Sequence, residues 1–151
     1  MYRRGEYAKA IEVFEKLHST GEADYPAASF LGAAYVKTGD KVRAIEIFGK
    51  LKTFKVSNPP TIYERKFRLV NKPYAAFSER AKGNDRSGRI RLAVEMKYDG
   101  TIGFIFPFAT TSEKLVEGAI DATSAIRFDP PVLNGKPVTL IIVFEYSFER
   151  G

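Results

Sequence analysis

The sequence predicts an α+β protein in two parts, helical-repeat hairpins followed by a small three-stranded antiparallel sheet packed on two helices. Two observations lead to that reading. A segment near the start recurs 34 residues later with helical periodicity, and the second half changes to alternation of period two around an Asp-Gly turn. A third observation separates the halves: residues 55–87 hold eight Lys/Arg against three Asp/Glu, so the net charge of +6 is concentrated between them. The expected division is residues 1–54 as helical repeats, 55–67 as a basic linker and 68–151 as the sheet domain.

In the first part, "GEYAKAIEVFEKL" (5–17) aligns with "GDKVRAIEIFGKL" (39–51). Each copy places Ala, Phe and Leu at i, i+4 and i+7: Ala10, Phe14 and Leu17, then Ala44, Phe48 and Leu51. That spacing puts them on one stripe of an amphipathic helix. Between the copies, "FLGAAYVKTGD" (30–40) supplies another helix, ending in a Thr-Gly-Asp turn. Leu31, Gly32, Tyr35, Gly39, Ala44 and Phe48 together resemble the tetratricopeptide repeat, a helix–turn–helix unit of this period. Gly32 and Ala44 fall where paired helices must approach closely. Lys41 stands where the family usually has Tyr, and Ala28 where it has Trp. The alignment enters the first repeat partway along its leading helix. Such arrays need three or more repeats for stability, so the resemblance implies a fragment of a longer one.

In the second part, "GRIRLAVEMKY" (88–98) puts Ile90, Leu92, Val94, Met96 and Tyr98 on one face of a strand, with Arg89, Arg91, Glu95 and Lys97 on the other. Asp99–Gly100 is a hairpin signal because both residue types tolerate positive φ. "TIGFIFPF" (101–108) returns as a second strand, which must end at Pro107 or lie at an edge because proline donates nothing to a ladder. A helix follows. Thr110 and Glu113 have capping-box spacing, and Leu115, Ala119, Ala122 and Ile126 form its apolar stripe. "DPPVLNGKPV" (129–138) breaks the chain before a closing strand. An earlier helix is expected at about 74–82.

This order resembles the C-terminal domain of TonB-family energy transducers over about 68–148. The elements that carry the resemblance are Gly88 before an alternating strand, Asp99–Gly100, the alanine-rich stretch 119–125, and Arg127–Phe128–Asp129–Pro130. Gly135–Lys136–Pro137–Val138 and the aromatic close 144–148 complete it. One position departs: Phe77–Ser78 stands where the family has Tyr-Pro. The resemblance implies a non-enzymatic protein-interaction module of the bacterial cell envelope, periplasmic in location.

Composition agrees with a binding role better than with catalysis. The chain has no cysteine and a single histidine, His18. There is neither a thiol nucleophile nor a ligand cluster for a metal, and no serine sits in a G-x-S-x-G elbow. No catalytic residue, cofactor or metal site is expected, and no apolar run is long enough to span a membrane. In the basic segment, Arg65, Lys66, Arg68 and Lys72 alternate with Tyr63, Phe67, Tyr74 and Phe77. Cations among aromatics can serve nucleic acid, but the same spacing fits a solvated linker or an anionic protein partner, and nucleic acid is the remotest of the three.

The closing strand raises the functional question. Val138, Leu140, Ile142, Phe144, Tyr146 and Phe148 share one face, yet Ile141 and Val143 make the other face apolar between Thr139 and Glu145. A strand apolar on both sides needs a cover. The TonB resemblance implies one: an extended peptide, an outer-membrane receptor segment among the partners, added beside the strand. Thr139, Ile141, Val143 and Glu145 would be its contact residues. Self-pairing into a homodimer, as in a structural scaffold, and a fold-back of the chain are the competing covers.

Overall fold

Three helices build the first part of the chain: α1 (Tyr7–Ser19), α2 (Tyr25–Thr38) and α3 (Lys41–Gly49), closed by a 3-10 turn at Leu51–Thr53. The computed structural model describes residues 2, 5–54, 63–71 and 88–148, and divides the chain into two units, Met1–Ile62 and Tyr63–Gly151. Local chemistry explains the helix boundaries. The Asp24 carboxylate accepts the Ala27 N–H at 3.0 Å and so caps the start of α2, with Pro26 in its first turn. The Asp40 carboxylate does the same for α3 by accepting the Arg43 N–H at 3.2 Å.

The helices pack through small residues. Ala10, Ala28, Ala33, Ala34 and Ala44 are all buried. A methyl group on Gly32 would stand 2.7 Å from both Ile47 and Phe48, so only glycine allows α2 and α3 this close. The two sequence copies are not equally buried. Phe48 and Leu51 are sealed, whereas their equivalents Phe14 and Leu17 are half-buried.

The second unit contains β1 (Arg68–Asn71), β2 (Gly88–Met96), β3 (Ile102–Thr110), α4 (Val116–Ser124), β4 (Arg127–Asp129), β5 (Val132–Leu133), β6 (Lys136–Pro137) and β7 (Leu140–Phe148). Its principal sheet is antiparallel, ordered β3-β2-β7. The register pairs Ile90 with Tyr146, Leu92 with Phe144 and Val94 with Ile142. This row packs with Leu115, Ala119, Ala122 and Ile126 of the α4 region, and Phe128 and Phe67 extend the same core. Thr123, fully buried on α4, donates to the Ala119 carbonyl at 2.7 Å and shares a 3.0 Å hydrogen bond with the Tyr146 hydroxyl. That contact ties the helix to β7 without leaving a buried hydroxyl unpaired.

Several expectations need correction. Residues 63–67 of the expected basic linker belong to the second unit. The Glu64 N–H donates to the Val132 carbonyl at 2.8 Å, and Val132 N–H to the Arg65 carbonyl at 2.8 Å. Phe67 stacks on Phe128 at 5.7 Å. β1 then pairs with β4, two short strands beyond the three-stranded sheet expected. Thr110 does not cap a helix. It ends β3, its hydroxyl bonding the backbone of Ser112, and a 3-10 turn at Glu113–Leu115 intervenes before α4. At the Asp99–Gly100 turn only Gly100 uses positive φ, at 83°. "DPPVLNGKPV" is not a plain break, because it contains the β5–β6 hairpin. Pro107 lies within β3, which is an edge strand. The helix expected at 74–82, the departure at Phe77–Ser78, Lys72 and residues 55–62 lie outside the described residues.

Candidate functional site

The second face of the sheet is where the expected contact residues meet. The register sets Arg91 opposite Glu145, Ala93 opposite Val143 and Glu95 opposite Ile141. Antiparallel pairing puts each such pair on one side of the sheet, so the face alternates with the core row. β7 lies at one margin of the described sheet, with β2 as its single neighbour there.

The four residues fare differently. Thr139 is half-buried, and its hydroxyl accepts the Tyr98 N–H at 3.1 Å, fixing the entry to β7 against the first hairpin. Ile141 is only 6% exposed, so its side chain is covered within the protomer and is not open contact surface. Val143 is half-buried and Glu145 exposed. Glu145 lies 3.7 Å from the Arg91 guanidinium, which also stands 5.1 Å over the Phe108 ring. An ion pair this exposed contributes about 0–1 kcal/mol, so it orients side chains more than it stabilises the fold.

Two residues missed in the sequence help shape this face. Glu95 falls in the charged row with Arg89, Arg91 and Lys97, yet it is 4% exposed. A methyl group on Gly103 would fall 1.9 Å from the Glu95 carboxylate, so the glycine in β3 makes room for that side chain. A glycine inside an edge strand was the available signal, because it marks close approach by a neighbouring group.

The helical unit has a cleft of about 170 Å³ lined by Glu15, His18, Leu31, Tyr35, Arg43 and Lys50 among others. The Tyr35 hydroxyl donates to the Glu15 carboxylate. Burial and that hydrogen bond push the phenol well above its ordinary value. Arg43 sits 3.6 Å from Asp40 and 3.9 Å from Glu15, so the cleft balances its own charges. His18 is exposed and meets the Phe54 ring at 5.4 Å.

The cations considered for nucleic acid are partly committed. Arg65 donates twice to the Pro130 carbonyl, at 2.8 and 3.2 Å, and Arg68 twice to Asp129, at 2.8 and 3.0 Å. Among the described residues no group of acidic or histidine side chains could hold a metal ion, and no helix is long and apolar enough to cross a membrane.

No protein-family model and no curated protein matches the chain. Among solved structures, it is similar to the C-terminal domain of TonB from Pseudomonas aeruginosa, determined in solution by NMR. The two are 20% identical, the likeness spans 56% of this chain and 86% of that one, and the TM-score is 0.48.

Proposed function

We propose that the chain is a non-enzymatic protein-interaction module of the bacterial cell envelope, and that an extended peptide docks by adding a strand beside β7. The observation that carries this reading is the position of β7, a nine-residue strand at the margin of the sheet among the described residues. A marginal strand presents main-chain donors and acceptors in a row, which give affinity, while alternate side chains give specificity. The sequence elements that resemble TonB transducers favour the same mode. Val143, Glu145 and Thr139 are the side chains through which a partner would be read, and Ile141 lies buried on the same face. The helical unit is read as a tetratricopeptide-like hairpin, supported by the 34-residue recurrence and the close approach at Gly32.

The test is selection of displayed random peptides on the full chain, followed by amide hydrogen exchange with the recovered binder. Added protection along Leu140–Phe148, weakened by Val143→Lys, supports strand addition. Protection confined elsewhere overturns it. Sedimentation of the free chain separates the alternative: a dimer that Val143→Lys dissociates means that β7 pairs with itself and the domain is a scaffold.

A further inference from the structure

Asn134 and Gly135 form the two-residue loop of the β5–β6 hairpin, flanked by the pairs Leu133–Lys136 and Val132–Pro137. Both have positive φ, 53° and 76°, as a type I′ turn requires, and both are exposed. The Gly135 N–H donates to a Glu64 carboxylate oxygen at 3.0 Å. Glu64 is itself held to this hairpin, because its own N–H donates to the Val132 carbonyl. One residue therefore grips both the loop and the strand that leads into it.

We propose that Asn134 is a self-modification site, an asparagine poised for succinimide formation, which the native hairpin holds closed with Glu64 as the latch. The Gly135 nitrogen gives up its proton to solvent and bonds to Asn134 Cγ. The bond from Cγ to the side-chain nitrogen breaks, and that nitrogen leaves as ammonia. Water then opens the cyclic imide at either carbonyl, leaving aspartate or isoaspartate. The net change consumes one water and releases one ammonia, with no oxidant or reductant.

Glycine makes the site reactive, because no Cβ crowds the attacking nitrogen. Geometry keeps it closed. In the left-handed region Cβ lies against its own residue's carbonyl oxygen, hence on the far side from the following nitrogen. Ring closure needs the opposite rotation, so the turn must open first, and Glu64 opposes that by holding the Gly135 N–H. The product adds a carboxylate to the loop that the Glu64 carboxylate already holds, so two like charges share the hairpin. Isoaspartate also lengthens the main chain by one atom, which breaks the Leu133–Lys136 register a few residues before β7.

The experiment follows ammonia loss by peptide mapping and mass spectrometry, with the full chain and a free peptide of sequence PPVLNGKPV incubated side by side at neutral pH. The native chain should react at least about tenfold more slowly than the peptide, because reaction needs local opening. Glu64→Ala should raise the native rate several-fold while circular dichroism stays unchanged. Glu64→Gln keeps an acceptor oxygen and should restore most of the protection. Equal rates in native chain and peptide overturn the proposal, and that comparison needs no variant to fold. Glu64→Ala leaving the rate unchanged removes the latch. A slower rate in that variant means that the carboxylate acts as a base, which also overturns it.

Discussion

Gly32 in the helical unit and Gly103 in the sheet unit are both denied a side chain by close neighbours, but the neighbours differ. At Gly32 a methyl group would meet the γ-methyl of Ile47 and the ring of Phe48, 2.7 Å away in the sealed interface between α2 and α3. At Gly103 it would meet the tip of Glu95, the end of a long side chain rather than a packed ring. The helical unit therefore uses small residues to bring backbones together around a few large ones. Within the sheet itself the core row is large, Ile90, Leu92, Val94 and Met96, and the small Ala93 and Gly103 lie off that row, while α4 brings Ala119 and Ala122 to the core. Glycine sets the approach of two helices at position 32 and leaves room for one side chain at position 103.

Removing the large residues should show the strongest effects and test whether the units fail separately. Phe48→Ala should cost about 3–5 kcal/mol and Leu92→Ala about 2–5 kcal/mol, since both sites are fully buried. In amide exchange, each should expose mainly its own unit's amides. Equal loosening of both units by either variant would break the comparison. Next come two sites on one face of β7. Ile141→Lys places a charge at a site 6% exposed and should cost about 2–4 kcal/mol, partly relieved by snorkelling. Val143→Lys, on the more open part of the same face, should cost about 1 kcal/mol or less. Matching denaturation midpoints for the two would mean that both sites are equally open.

The glycines themselves sharpen the contrast. Gly32→Ala should cost about 1–3 kcal/mol through overpacking, despite the gain in helix propensity. Gly103→Ala should cost about 1 kcal/mol or less, and Glu95→Ala in the same chain should recover most of it, as read from a double-mutant cycle. A costlier change at Gly103 would show that the Glu95 carboxylate is locked. The smallest effect concerns the hairpin turn. Hydrogen bonds from the Thr101 hydroxyl and N–H lower the Asp99 pKa below its ordinary 3.8. The charged form is thus favoured in the fold, so this contribution is present above pH 3.8 and is lost as pH falls through the lower folded value. Asp99→Ala should flatten that acid limb of the stability profile slightly, and an unaltered limb would assign the acid sensitivity elsewhere.

Much of this was legible because it is local. Helical spacing marked Ala44, Phe48 and Leu51, and alternation marked Ile90, Leu92, Val94 and Phe144, because a side chain's face follows from its own position in a helix or strand. Leu115, Ala119, Ala122 and Ile126 were readable for the same reason. The Asn134–Gly135 loop was also readable, since Asn-Gly is a strong hairpin signal, but the prolines around it suggested a break instead.

Local pattern therefore sets the two periods, the faces of the individual helices and strands, and the absence of thiol chemistry. What those faces meet depends on how distant segments come together. The pairing of β1 with β4 joins residues some 60 positions apart, and no local pattern encodes which of several short extended segments will find each other. The β2–β7 register brought Ile141 beside Glu95, and burial then followed from neighbours that neither strand specifies alone. Arg65 and Arg68, read as free cations, are held by the Pro130 carbonyl and Asp129 for the same reason. Periodicity fixes which way a side chain points, whereas its partner is set by the long-range closure of the chain.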